Sequence, residues 1–258
     1  MPINFDFSGK TYIVTGGNRG IGLAISEAIA EAGGNVGVIY HSAKDAPDIA
    51  AGIAKKYNVK CEAWKCDVGD PELVKKTFKE IDEKFGQVDG VVANAGISVV
   101  KDAIDLTKED FNSVYSTNVF GPFACAQAAA SLWIEKQYKG GSVVFVSSMS
   151  SQIVNKKIHQ VWYNSSKAAA SSIVKQLAVE WADKDIRVNA LCPGYVETDQ
   201  TSHMDPKLLS WQKDELVPLG RFSQPKEQAY MALFLLDNKF SSYCTGQEYF
   251  VDGGAQAW

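Results

Sequence analysis

Thr11-Tyr12-Ile13-Val14-Thr15 runs directly into Gly16-Gly17-Asn18-Arg19-Gly20-Ile21-Gly22, and helical apolar spacing takes over from Ile21. A short β-branched and aromatic run, then spaced glycines, then an amphipathic stretch reads as a strand turning tightly into the N-terminus of a helix. Such a turn offers unpaired backbone amides and the positive end of a helix dipole, which together suit an anion such as a pyrophosphate. In that reading Gly16 makes the tight turn, Gly20 lets the backbone approach the pyrophosphate, and Gly22 lets the helix pack on the strand. Asn18, Arg19 and Ile21 are expected beside the same group.

Outward from this turn the pattern repeats. Strand-like runs at 11–15, 35–40, 59–65, 90–93, 142–147 and 187–191, with a seventh at 248–251, alternate with helical segments at 21–32, 46–57, 71–85, within 108–137, 163–183 and 225–236. Repeated βαβ units with right-handed crossovers predict an α/β fold: a single-domain, Rossmann-type, doubly wound parallel sheet of about seven strands, helices on both faces, binding ligands at the carboxyl ends of the strands. No repeat or Pro/Ser-rich linker divides residues 1–258. The stretch 194–222 is the irregular one, with Met204, Pro206, Trp211 and Pro218 at poor periodicity, and is expected to be a substrate lid.

Composition removes several classes of function. A formal net charge of −4 argues against a nucleic-acid binder, which gathers excess Lys and Arg on one face. The longest weakly polar run, 119–134, is broken by Gln127 and Ser131 and is short for a bilayer span, so no membrane partner is expected. The N-terminal residues carry neither a basic n-region nor an apolar run, and a cytoplasmic location is expected. The five cysteines have no Cys-x-x-Cys spacing and read as reduced packing residues; no cluster has metal-ligand spacing, so no metal is expected.

The end of the second strand selects the nucleotide. An NAD site places an acidic residue there for the ribose 2′-hydroxyl, whereas this chain has Tyr40-His41-Ser42. A carboxylate would repel a 2′-phosphate, while Arg19, His41 and Ser42 can donate to one, so the expected cofactor is NADP(H). Asp67-Val68 after the third strand and Asn94-Ala95-Gly96 after the fourth fall at the same edge. Asp67 is expected to accept from an adenine amino group or to cap the next helix. Ala95 and Gly96 let the chain pass close under a cofactor, and Asn94 either lines it or ties strands together.

Tyr163 and Lys167 stand one turn apart on one helix face. A phenol titrates near 10 when unperturbed, and a nearby ammonium is expected to lower that value and make Tyr163 a usable acid and base. The same spacing recurs at Tyr40 and Lys44, but only Tyr163 follows the fifth strand, at the nicotinamide end. That strand ends Ser147-Ser148-Met149-Ser150-Ser151. Ser148 is expected to bond the substrate oxygen, with Ser150 as the alternative. Asn118 sits inside a helix where its propensity is poor, either interrupting the helix to hold a water or buried as a satisfied amide.

Taken with these residues, the segment Pro193-Gly194-Tyr195-Val196-Glu197-Thr198 completes a pattern that resembles the short-chain dehydrogenase/reductase family over essentially the whole chain. The resemblance implies that Ser148 orients a carbonyl, Tyr163 exchanges the proton, Lys167 tunes Tyr163 and binds the nicotinamide ribose, and Asn118 carries a relay water. It also implies cofactor contacts from Pro193, Gly194, Val196 and Thr198, and a homotetramer. More narrowly, Thr15 to Arg19, Ser147-Ser148-Met149-Ser150-Ser151-Gln152-Ile153-Val154-Asn155 and Phe250-Val251-Asp252-Gly253-Gly254 look like the fungal NADP-dependent mannitol dehydrogenases and sorbose reductases, which implies a ketose/polyol couple. One departure stands out: Ser148 lies 15 residues before Tyr163, where many members have 13, so the intervening loop is longer or reshaped.

That loop offers Gln152, Asn155, His159 and Trp162, and the lid offers Tyr195, His203, Met204 and Trp211, a polar and aromatic mixture suited to a polyhydroxylated substrate. Reduction of a fructose- or sorbose-type ketose, with the reverse oxidation, is the leading expectation. A broad ketone reductase is the alternative, and a catalytically silent nucleotide-binding protein is the reading from another class. A reductase acting on acyl-carrier protein would need a basic docking patch that this composition does not advertise.

Overall fold

The computed structural model describes residues 4–198 and 205–257. Seven parallel strands form one sheet in the order β3-β2-β1-β4-β5-β6-β7. These are β1 (Thr11–Thr15), β2 (Asn35–Tyr40), β3 (Cys61–Lys65), β4 (Gly90–Ala93), β5 (Ser142–Val146), β6 (Arg187–Pro193) and β7 (Glu248–Val251). Chain order reverses between β1 and β4, so the carboxyl ends of these two strands open the crevice where such sheets take their ligands.

Each central strand is apolar on both sides, as a sheet covered on both faces requires. In β1, Ile13 packs into one layer with Val91, Val143, Phe145 and Trp133, while Tyr12 and Val14 pack into the opposite layer with Ile25, Val38 and Leu235. The first layer is roofed by α3 (Pro71–Phe85), α5 (Gly121–Glu135) and α6 (Val161–Glu180), the second by α1 (Gly20–Glu31), α2 (Ala46–Tyr57) and α8 (Pro225–Leu236). Two shorter helices, α4 (Lys108–Tyr115) and α7 (Pro206–Leu216), complete the helices named here.

Local signals explain the boundaries. Asp70 caps α3 by accepting from the amides of Glu72 and Leu73, and Asn58, in the left-handed conformation at φ 55°, ends α2 and delays β3 to Cys61. The long helical stretch from Lys108 does not run straight: α4 passes through a π turn at Ser116–Phe120 before α5 begins. The segment 194–222, irregular by periodicity, contains α7, whose start is marked by Asp205 accepting from the Lys207 amide with Pro206 in the first turn. Among the described residues no helix is long and apolar enough to cross a membrane.

Candidate active site

The glycine turn is built by sterics. Gly16 and Gly20 hold φ of +63° and +53°. A Cβ on Gly22 would lie 2.2 Å from the Gly16 carbonyl oxygen, so only glycine lets α1 close onto the turn. Alanine ordinarily favours a helix by about 1 kcal/mol over glycine. Gly22→Ala is nevertheless expected to destabilise the protein by about 1–3 kcal/mol through this overlap and to weaken nucleotide binding, as read from the denaturant midpoint and an NADPH titration.

Asn94 fixes this turn to β4. Its side-chain amide donates to the carbonyls of Thr15 (2.9 Å) and Gly16 (3.4 Å), while the Thr15 hydroxyl accepts from the amides of Asn94 and Ala95. Of the two roles left open for Asn94, its amide therefore performs the tying one. The segment after β6 folds back to the same turn: a Cβ on Gly20 would touch Thr198 at 3.6 Å, Val196 bridges to Ser223, and Gly194 packs on Asp252. Gly96 packs beside Asn118 and Lys167: a Cβ on it would lie 3.4 Å from Asn118 Oδ1 and 3.5 Å from Lys167 Nζ.

At the adenosine end, Arg19 is exposed at the N-cap of α1 and its side chain makes no capping bond there. His41 Nε2 lies 3.8 Å from Asp67 Oδ2, and Ser42 is exposed beside it. Asp67 accepts from the Gly69 amide at 2.9 Å and does not cap α3, a task Asp70 performs. Val68 is buried against Gly121, so only its backbone is free to face a nucleotide.

Tyr163 falls in the first turn of α6, which starts two residues before the expected position. Lys167 Nζ sits 5.6 Å from the Tyr163 ring centre and donates to the Val146 carbonyl at 2.8 Å. Burial sets both groups. It pushes the Tyr163 phenol above its usual value, with a hydrogen bond between the phenol and Ser148 pulling the other way, and brings Lys167 down to about 8. The expectation that the phenol is lowered is therefore corrected for the chain by itself: its value is raised, because desolvation outweighs the Ser148 hydrogen bond.

The two adjacent serines separate cleanly. Ser147 donates to the Lys167 carbonyl and pairs with Ser171, anchoring α6 to β5. Ser148 opens a 3-10 turn (Met149–Ser151), accepts from the Ser150 amide and donates to Ser150 Oγ at 3.1 Å. Asn155, 6% exposed, donates to Ser150 Oγ at 2.5 Å and accepts from Tyr195 Oη at 3.5 Å. A chain of hydroxyls and an amide therefore leads from Tyr163 through Ser148, Ser150 and Asn155 to Tyr195, which stacks on Phe222 at 5.1 Å.

Asn118 lies in the π turn, 1% exposed. Its amide oxygen accepts from Ile97 N and its NH2 donates to Ile97 O and Ser166 Oγ, so the helix is interrupted and both donor hydrogens of the side chain are engaged.

Comparison with known proteins agrees with this arrangement. A family model described as enoyl-(acyl carrier protein) reductase matches residues 16–256. A solved short-chain type dehydrogenase/reductase from Mycobacterium marinum superposes with a TM-score of 0.90 at 34% identity over 98% of both chains. The chain belongs to the short-chain dehydrogenase/reductase family. Within the family it is 40% identical to a sorbose reductase of Candida albicans over 97% of this chain and 88% of that one. It is 36% identical to an NADP-dependent mannitol dehydrogenase of Alternaria alternata over 97% of this chain and 93% of that one.

Within this short-chain dehydrogenase/reductase, not every residue singled out by sequence reaches the crevice. Trp162 precedes Tyr163 by one position, about 100° around the helix, and packs edge-on against Phe111 (5.1 Å) and Tyr115 (6.4 Å) of α4. His159 is an exposed rim residue paired with Asp102 at 2.5 Å. Gln152 is tied to Glu248. His203 and Met204 lie outside the described residues. Sequence reasoning passed over Gln212, a buried side chain on α7; the Asp205-Pro206 start signal was the clue that this helix existed.

Proposed function

We propose that the protein is an NADP(H)-dependent oxidoreductase that reduces a fructose- or sorbose-type ketose to a polyol and oxidises the polyol in reverse. The observation that carries this reading is the polar chain Ser148–Ser150–Asn155–Tyr195 beside Tyr163 and Lys167. A wall of hydroxyls and an amide is matched to a substrate with an oxygen on every carbon, and an apolar ketone would leave it poorly paired. The names of the sorbose reductase and mannitol dehydrogenase relatives support the same reading.

The turn at Gly16–Gly22, the free approach at Gly96 and the cationic edge at Arg19 fit a dinucleotide with a 2′-phosphate. Backbone amides of Asn18 to Gly22 would hold the pyrophosphate, Arg19 with His41 and Ser42 the 2′-phosphate, Asp67 and Val68 the adenine, and Ala95, Gly96, Pro193, Gly194, Val196 and Thr198 the nicotinamide half. When bound, NADPH supplies the hydride. Ser148 turns its hydroxyl from Ser150 to the substrate oxygen, and Tyr163 gives that oxygen its proton. Lys167 would bond the nicotinamide ribose, and its charge would favour the phenolate left on Tyr163. The π turn at Asn118 positions the water that returns a proton to this pair. The segment 194–222, with α7, acts as the lid.

Loss of the Arg19 charge-assisted bonds in Arg19→Ala is expected to raise KM for NADPH by about 10- to 100-fold while moving KM for NADH far less. Initial rates with both nucleotides check it, and equal effects on both would remove Arg19 from the 2′-phosphate site.

Incubation with NADPH and fructose or sorbose, followed by chromatography, tests the proposed conversion: a polyol product supports it. Consumption of NADPH only with apolar ketones would indicate the broad ketone reductase, and only with a thioester enone the reaction in the matched family's description. The buried or half-buried free cysteines suit a reducing, cytosolic compartment. A homotetramer is expected from the family resemblance, and sedimentation of a stable monomer at assay concentration would contradict it.

A further inference from the structure

The inward face of α7 carries Leu208, Gln212 and Leu216 at successive i, i+4 positions, and both leucines are half-buried. Gln212 between them is 0% exposed. Neither its amide oxygen nor its amide nitrogen has a hydrogen-bond partner among the described residues. The other unpartnered amide oxygens differ in kind. Asn164 and Gln228 still donate from their nitrogens, to Ile153 O and to Ser223 Oγ and Val251 O. A buried amide with both ends unmade is strongly unfavourable, and at the centre of an apolar helix face a leucine would serve packing better. Nothing among the described residues answers this amide, and a bound ligand can.

The neighbours of Gln212 show where that partner would sit. On one side, the Trp211 ring takes Lys157 Nζ at 3.6 Å, fastening α7 to the loop between Ser151 and α6. On the other, Lys213 Nζ lies 3.4 Å from Glu197 and 5.0 Å from the Phe222 ring centre, and Phe222 stacks on Tyr195. The helix is therefore held to both walls that lead, through Asn155 and Tyr195, to Ser150 and Ser148. Lys157 has φ +66° and belongs to the loop that makes the Ser148–Tyr163 spacing longer than usual, so the lengthened loop supplies the cation that pins the lid.

We infer that Gln212 is a specificity-determining residue: its carbonyl accepts from, and its NH2 donates to, hydroxyls of the substrate held under the lid. This rests on the reading of the substrate as a polyhydroxylated ketone. Each hydroxyl can donate and accept, which answers both ends of a primary amide at once. An apolar ketone under the same lid leaves the amide unpaired, so the residue selects by penalising the wrong ligand as well as by holding the right one.

Gln212→Met keeps the length of the side chain and removes both hydrogen-bonding ends. Four results are expected. The ligand-free variant melts higher than the parent. KM for the ketose rises by about 5- to 10-fold with a smaller change in kcat, the loss of one or two neutral hydrogen bonds. KM for an apolar ketone does not rise, and the melting shift produced by ketose with NADP(H) shrinks. A higher melting point with ketose KM unmoved would overturn the inference and leave Gln212 a packing residue. A KM rising equally for ketose and apolar ketone would overturn it too, because the residue would then act on the lid or nucleotide as a whole. Failure of the substrate reading shows separately, in a parent enzyme that turns over apolar ketones and no ketose.

Discussion

Tyr163→Phe is expected to lower kcat for ketose reduction by about 1,000-fold or more while leaving the NADPH dissociation constant essentially unchanged. The phenyl ring refills the same space in the first turn of α6, so nucleotide binding and the thermal transition stay close to the parent. What disappears is the hydroxyl proposed to give the substrate oxygen its proton. Burial raises the phenol above its ordinary value, so it is protonated at neutral pH and competent as the acid for reduction. A fluorescence titration with NADPH beside steady-state rates separates the two effects. Retained turnover in the Phe variant would remove Tyr163 from the chemistry.

The second large effect belongs to Lys167. Lys167→Met is expected to lower kcat by about 100-fold or more and to flatten the pH profile of reduction. Lys167 is 5% exposed, and burial brings its ammonium down to about 8, against an ordinary value near 10.5. The sign follows from which form is the helpful one. Below about 8 the ammonium is charged and favours the phenolate that proton donation leaves behind; as pH rises through that value the charge is lost and reduction slows. Oxidation needs Tyr163 as phenolate and so starts from the deprotonated side, giving it a more alkaline optimum than reduction. Rates in both directions from pH 6 to about 10, for the parent and the Met variant, check this. A parent reduction profile that is flat through the same range, or a variant that keeps the parent's decline, would contradict it.

The parts of the fold and site that rest on short-range pattern were legible in the sequence, and those that rest on burial or rotation were not. β1 followed by Gly16–Gly22 shows its geometry in its glycines, because only they tolerate the turn and the contact of Gly22 with Gly16. The strands and most helices were placed to within a few residues by alternation and by caps such as Asp70 and Asn58. Tyr163 and Lys167 share a helix face by their spacing alone. Trp162 and His159 are as close to Tyr163 in sequence, yet helix rotation turns one to α4 and an ion pair holds the other at the rim. The hydrogen bonds of Asn118 depend on Ile97 and Ser166, far away along the chain. The direction of the Tyr163 shift depends on how dry the site is, which no spacing reports. Gln212 was hidden because α7 mixes its inward apolar positions with Trp211 and Lys213, whose partners, Lys157 and Glu197, come from two other segments.

A nucleotide-loaded Tyr163 site is proposed to reduce a polyhydroxylated ketone. The most direct measurement is the initial rate of NADPH consumption by the parent enzyme with fructose, sorbose, xylulose and an apolar ketone, each repeated with NADH. Clear turnover of at least fructose or sorbose with NADPH, a lower kcat/KM for the apolar ketone, and weak rates with NADH are expected. Turnover confined to apolar ketones, or supported only by NADH, would contradict it.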